Sequence, residues 1–227
     1  MAELECFFDL SSPWTYFAFV SLRKLQEEID VSIDWRPHLV GGVFNAVNPS
    51  VHNSREKPVP AKQAYNKKDQ QDWARFLGLK MHYRPTVFPV NSVKAMRGCF
   101  VAAEMGKLVP YMDATFAAYW CDDKDISKPE VLTEICQKVG IDPAAFLAGI
   151  EQQPVKDKLR ETTQELIDRG GYGSPTIFVG GDDMYFGNDR MPLIKDAVLR
   201  AGDGRLILHG AVASGQYLTW EGGDTAT

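Results

Sequence analysis

The chain opens on a nearly unbroken apolar run, Leu4-Glu5-Cys6-Phe7-Phe8-Asp9-Leu10, which predicts a buried strand. Ser11-Ser12-Pro13 interrupts it: a proline cannot continue a central strand but suits the first turn of a helix. From Trp14 to Asp30 the apolar positions Phe17, Val20, Leu22, Leu25 and Ile29 recur at roughly helical spacing, the mark of an amphipathic helix. Val31, Ile33 and Trp35 then alternate with Ser32, Asp34 and Arg36, which predicts a second strand. Strand, helix and strand in this order form a βαβ unit, so the two strands are expected to be parallel.

The pattern changes after this unit. Residues 41 to 62 carry Gly, Asn, Ser and three prolines and read as a loop region with one helical turn around Val43 to Ala46. Helices are expected over Gln63–Leu77, Asn91–Gly106, Val109–Trp120, Lys128–Val139, Pro143–Glu151 and Val155–Arg169, with Arg84–Pro89 extended. Apolar Ser174-Pro175-Thr176-Ile177-Phe178-Val179 restores β structure; Gly180-Gly181-Asp182-Asp183 reads as a hairpin turn and Met184-Tyr185-Phe186 as its partner strand. A last helix runs from Asp189 to about Ala201, and the Gly-rich stretch after Gly202 is expected to be partly mobile. Without the middle block the order is β-α-β-α-β-β-α, that of a thioredoxin fold. The expected organisation is an α/β thioredoxin-like domain from residues 1–42 and 151–205, an all-helical insertion over 43–150, and a tail over 206–227.

Composition narrows the function classes. Hydrophobic residues make up 44 % and charged residues 24 %, a globular balance. The net charge of −5 argues against an extended nucleic-acid groove, which needs a basic surface. Cys6, Cys99, Cys121 and Cys136 include no C-x-x-C pair, and His38, His52, His82 and His209 show no ligand spacing; no metal site is expected, and all four thiols read as structural. Met1 to Glu5 shows neither a basic n-region nor an apolar h-region, so a reducing, cytoplasmic setting is the expectation. No run approaches the length of a membrane span.

Candidate chemistry gathers at three places. A thioredoxin-type oxidoreductase carries Cys-x-x-Cys where the first strand passes into its helix, because the helix N-terminus lowers the thiol pKa. Here that stretch is Ser12-Pro13-Trp14-Thr15, with hydroxyls in both sulfur positions. Disulfide exchange is lost, and a seat for a foreign thiolate remains. Ser174-Pro175 places a proline directly before a buried strand; in this fold it is expected to be cis, with Ser174 offering its backbone to an extended peptide. Asp189 stands near the start of the last helix, where its carboxylate can cap the helix or pair with a ligand ammonium.

Three stretches, Phe8-Asp9-Leu10-Ser11-Ser12-Pro13-Trp14, Tyr172-Gly173-Ser174-Pro175-Thr176 and Phe186-Gly187-Asn188-Asp189-Arg190, resemble the signatures of the 2-hydroxychromene-2-carboxylate isomerases and kappa-class glutathione transferases. Asn91 to Arg97 and Asp125-Ile126 are similar too, and the resemblance runs over roughly residues 3 to 202. It implies a DsbA-like thioredoxin fold, glutathione as cofactor and Ser12 as catalytic serine. It further implies glutathione contacts at Pro13, Trp14, Ser174, Pro175, Asp189 and Arg190, and a basic position near the site's mouth at Lys62. A glutathione-binding asparagine of the relatives aligns with Asn53, or alternatively Asn48. Lys62 or Arg97 is the candidate partner for a substrate carboxylate. The activity implied is glutathione-dependent isomerisation of a small aromatic substrate in a homodimer. A kappa-like transferase and a non-catalytic glutathione or peptide binder are the alternatives. Partners of the nucleic-acid or membrane kind are not expected.

Overall fold

The computed structural model describes residues 2–201. The tail over 206–227, and His209 within it, lie outside the described residues. Strand β1 (Ala2–Phe8) leads through α1 (Pro13–Glu28) to β2 (Val31–Pro37), and these strands pair parallel with Cys6 opposite Trp35. β3 (Thr176–Val179) and β4 (Asp183–Phe186) form an antiparallel hairpin, and β3 adds antiparallel to β1. The sheet order is β2-β1-β3-β4, with a three-residue hairpin loop in which Gly180 and Gly181 take positive φ of 60° and 106°.

Between β2 and β3 the described chain is helical: α2 (Val40–Val47), α3 (Ser50–Glu56), α4 (Pro60–Leu77), α5 (Val93–Glu104), α6 (Leu108–Phe116), α7 (Pro129–Val139), α8 (Pro143–Gly149) and α9 (Gln153–Asp168). A 3-10 turn over Asn188–Arg190 opens the final helix α10 (Met191–Ala201).

The two-helix segment α2–α3 corrects the expectation of a loop over 41–62. Gly41 and Gly42 signalled a breaker, yet Gly42 serves close packing: a Cβ there would stand 3.3 Å from Thr163 Cγ2 on α9. Thr163 also accepts the Leu39 N–H at 3.0 Å, so tertiary contact holds this stretch in a helix that local propensity disfavours. The helix expected over Val109–Trp120 changes at Ala117 into a π-turn ending at Cys121, closed by Asp122 N–H donating to Ala117 O at 3.0 Å.

Alternation along β1 sorts its side chains to two faces. Leu4, Cys6 and Phe8 enter the main core with α1 and α10 residues such as Leu22, Ile194 and Val198. Phe7 points to the other face and packs with Phe178, Val43 and Leu166. Arg169 stacks 3.7 Å over the Phe178 ring and pairs with Glu5 at 2.7 Å, covering that second face with a cation held by a carboxylate. The main core does not stop at the insertion: Tyr111, Phe116, Trp120 and Phe146 belong to the same buried cluster as Leu4 and Leu22. All four cysteines are free; Cys6, Cys99 and Cys136 are buried, and half-buried Cys121 lies 3.6 Å from the Tyr16 hydroxyl.

Candidate active site

The end of β1, the N-terminus of α1 and the turn before β3 meet at the floor of a cavity of about 750 Å³. Ser12 caps α1: its Oγ accepts the Thr15 N–H at 3.3 Å, and Pro13 fills the first helical position, where no N–H is needed. The same hydroxyl donates to the backbone O of Ser174 at 3.0 Å. The Ser174–Pro175 peptide is cis, as the placement before β3 leads one to expect. Ser12 is 8 % exposed and lines the cavity, so its hydroxyl is sheltered and still reachable.

The second former sulfur position is also spoken for. Thr15 Oγ1 lies 2.8 Å from Ser174 Oγ, and Ser174 Oγ accepts the Asp9 N–H at 2.9 Å. A buried hydroxyl network thus ties α1 to the cis-proline turn. Network members that are fully satisfied hold one another in place, because leaving any one unpaired in a low dielectric is costly.

Asp9 is the tie between this floor and the insertion. Its Oδ1 accepts Ser11 N at 2.9 Å and Ser11 Oγ at 2.8 Å; its Oδ2 accepts Val40 N at 2.9 Å and Ser92 Oγ at 3.2 Å. One buried carboxylate therefore joins the loop before Ser12, the start of α2 and the start of α5. Burial pushes its pKa up, while these hydrogen bonds pull the other way. At the start of α5 the Ser92 hydroxyl turns to Asp9, and Asn91 Oδ1 accepts the Val93 N–H at 3.1 Å.

The upper walls come from the insertion. Trp120, carried on the π-turn, donates its indole N–H to Leu10 O at 3.1 Å and lines the cavity. Phe44, Tyr83 and Phe88 add further aromatic surface, with Trp14 of α1 beside them, and Lys57, Lys62 and Arg84 supply charge.

The structure gathers Ser12, Pro13, Trp14, Lys62 and Ser174 around one cavity. Asn53 is exposed on α3 and is not among the lining residues. Asn48 is on the wall instead, its amide donating to Tyr172 O at 3.1 Å. The shift follows from the helix over 50–56, which carries Asn53 around to solvent where an extended loop was expected. Arg97 also stands off the cavity and pairs with Glu151 at 3.7 Å. Asp189 and Arg190 pair with each other at 3.2 Å, half-exposed, on the turn that packs against α1. Beside them Asn188 is buried, its side-chain amide nitrogen without a partner among the described residues. Asp9, Thr15, Lys57, Arg84 and Trp120 escaped the sequence reading as site residues. Of these, Thr15 was signalled by its place in the Ser12–Thr15 tetrapeptide; the others depend on contacts distant in sequence.

A thioredoxin-like sheet with a helical insertion and a capped helix N-terminus facing a cis-proline define a thioredoxin-fold protein with hydroxyls, not thiols, at Ser12 and Thr15. The profile of the DSBA-like thioredoxin domain matches residues 3–199, and the chain belongs to that family. Within it, the chain is similar to a 2-hydroxychromene-2-carboxylate isomerase of Pseudomonas sp. (strain C18), at 29 % identity over 86 % of this chain and 89 % of the relative. It is also similar to glutathione S-transferase kappa 1 of Homo sapiens, at 26 % identity over 84 % and 88 %. A solved 2-hydroxychromene-2-carboxylate isomerase superposes with a TM-score of 0.75 at 25 % identity, covering 87 % of this chain and 95 % of that one. A Streptomyces coelicolor protein described as a probable DsbA oxidoreductase shares the fold at 17 % identity and a TM-score of 0.72. Among the described residues no helix is long and apolar enough to cross a membrane, and no cluster of His, Cys, Asp or Glu is arranged to hold a metal.

Proposed function

We propose that the chain is a glutathione-dependent isomerase of conjugated aromatic compounds of the 2-hydroxychromene-2-carboxylate and o-hydroxybenzylidenepyruvate type. The observation that carries this reading is the Ser12 hydroxyl at the N-terminus of α1, hydrogen-bonded to the carbonyl before cis-Pro175 and opening on a large aromatic cavity. The donor set suits glutathione: a hydroxyl and a helix N-terminus for sulfur, and Asp189 and Arg190, on the turn packed against α1 and outside the cavity lining, for a group carrying both ammonium and carboxylate. When bound, glutathione supplies a thiolate that adds to a conjugated carbon and is expelled again, so the double bond can change geometry without consuming the cofactor.

The chain's own task is to hold that sulfur ionised. Ser12 Oγ keeps the Thr15 N–H as donor and turns its own proton from Ser174 O to the sulfur. Lowering a thiol pKa by one unit takes about 1.4 kcal/mol of differential stabilisation. A charge-assisted hydrogen bond of about 1.5–3 kcal/mol exceeds both that and the bond of about 1 kcal/mol given up at Ser174. The helix dipole acts in the same direction. Asn48, in the place held open for Asn53, and Lys62 contribute to the cofactor's side of the cavity.

Similarity to the kappa transferases supports a second reading, in which the thioether is the released product. The test has two stages. Glutathione is titrated into the protein and its thiolate absorbance is followed at neutral pH, with Ser12→Ala alongside. A thiolate signal present in the wild type and lost in Ser12→Ala is expected; absence of binding at millimolar glutathione would sink both readings. Mass analysis of the products then divides them, an unchanged mass marking isomerisation. The reading includes a homodimer, for which sedimentation should give twice the chain mass.

A further inference from the structure

Arg84 is the one charged residue of the cavity wall that stands on strained backbone. Its φ is +62°, in the left-handed region that glycine tolerates and residues with a Cβ adopt at a cost. Neighbours impose this conformation. The Asp123 carboxylate accepts both the N–H and the hydroxyl of Thr86, each at 2.6 Å. Tyr119 donates its hydroxyl to Val87 O at 2.9 Å, and His82 N–H donates to Trp120 O at 2.7 Å. The segment is bolted on both sides of Arg84, and its guanidinium rests 5.2 Å from the centre of the Phe88 ring.

The charge inventory of the wall completes the picture. Asp9 is the sole carboxylate among the described lining residues, and both its oxygens are engaged. Lys57, Lys62 and Arg84 line the same cavity, and none makes an ion pair among the described residues. The cavity therefore presents free positive charge beside an aromatic wall of Tyr83, Phe88 and Trp120. Of the three cations, only Arg84 offers a planar fork that matches a carboxylate on two hydrogen bonds, and only Arg84 is held in place by a ring.

We infer that Arg84 is a specificity-determining residue, whose guanidinium takes the carboxylate of a planar conjugated acid while the acid's unsaturated body packs on the aromatic wall. The role of that acid as the reacting substrate rests on the function proposed above; its binding does not, and can be measured without glutathione. Arg84→Gly suits the experiment, because glycine adopts the same backbone without strain, so the fold and melting temperature should be kept or improved. Calorimetric titration with trans-cinnamate, and with cinnamamide as its uncharged counterpart, reads the contact directly. Arg84→Gly is expected to weaken cinnamate at least tenfold and to leave cinnamamide and glutathione unaffected, with Arg84→Lys in between. If the wild type fails to bind cinnamate, or fails to prefer it over cinnamamide, or if Arg84→Gly keeps the preference, the assignment is wrong. Failure of the wild type to bind glutathione, with the Arg84-dependent preference for cinnamate intact, would count against the proposed function alone.

Discussion

The floor and the upper wall of the cavity are built on opposite terms. On the floor, Asp9, Ser12, Thr15 and Ser174 are buried, and their side-chain oxygens are engaged in hydrogen bonds among themselves and with nearby backbone. On the upper wall, Lys57, Lys62 and Arg84 are exposed and make no ion pair among the described residues. The floor comes from the thioredoxin-like part and the wall from the insertion. A reacting group gains most from donors already in place when charge develops; a floor committed everywhere but at the Ser12 proton leaves a single hydrogen bond to turn and holds the rest fixed. Recognition of a charged ligand gains most from cations without a competing partner, which favours an uncommitted wall. Changes on the floor should therefore cost catalysis or stability, and changes on the wall should cost only affinity.

The largest expected effect is at Ser12. Ser12→Ala should lower the isomerisation kcat about 100-fold, the scale of losing one hydroxyl donor to a developing or held anion. Loss of the cap should take only about 1 kcal/mol from stability, measured by urea unfolding. A stability loss without a rate loss would make Ser12 a plain cap and the floor purely structural.

Asp9→Asn comes next. The amide supplies donors where Ser11 N–H or Val40 N–H needs an acceptor, so about 2 kcal/mol of stability should go. Glutathione binding should weaken with it, because the loop before Ser12 loses its tie to α2 and α5. An unfolding curve and a glutathione titration on the same variant check both.

His38 sharpens the comparison through pH. It is fully buried just before the cavity wall at Leu39, edge-on to Phe7 with ring centres 6.4 Å apart, and its ring nitrogens have no hydrogen-bond partner among the described residues. Burial lowers its pKa from 6.5 to about 3. Between those values the unfolded chain binds the extra proton, so stability rises with pH and falls on acidification below about 6.5. From pH 7 to pH 5 the loss is about 2 kcal/mol. Asp9 acts in the opposite sense, since its carboxyl is pushed above the ordinary 3.8. His38→Phe should flatten the acid limb of the stability profile relative to its own value at pH 7; an unchanged limb would show that another group governs it.

Lys62→Ala should be the smallest. Stability should stay within about 0.5 kcal/mol, while glutathione affinity falls a few-fold. A clear stability loss would mean that the upper wall is structurally committed after all.

The register of these effects tracks what could be read in the chain. Ser12 and Ser174, which the structure places at the cavity, could be picked out because each sits at a local signal: a hydroxyl before a helix-starting proline, and a proline before a strand. Asn53 and Asn48 could not be told apart in the sequence, because a helix over 50–56, exposing Asn53, stands where a loop was expected. Arg84 carried no local mark at all. Its left-handed backbone lies in a segment that Asp123, in the loop after the π-turn, and Tyr119, on that turn, tie down.

The sequence by itself determined the βαβ opening, the hairpin and last helix, the loss of both redox thiols and the hydroxyl that replaces the first of them. These follow from periodicity and from proline and glycine chemistry, which act over a few residues. Only the tertiary structure decided that Asp9 joins three segments, that Thr15 locks to Ser174, that Asn48 holds the wall and that the free cations face one aromatic cavity. Apart from Asp9 with Ser11, the hydrogen-bonded pairs lie 31 to 165 positions apart, and a buried polar group takes whichever partner folding brings within reach.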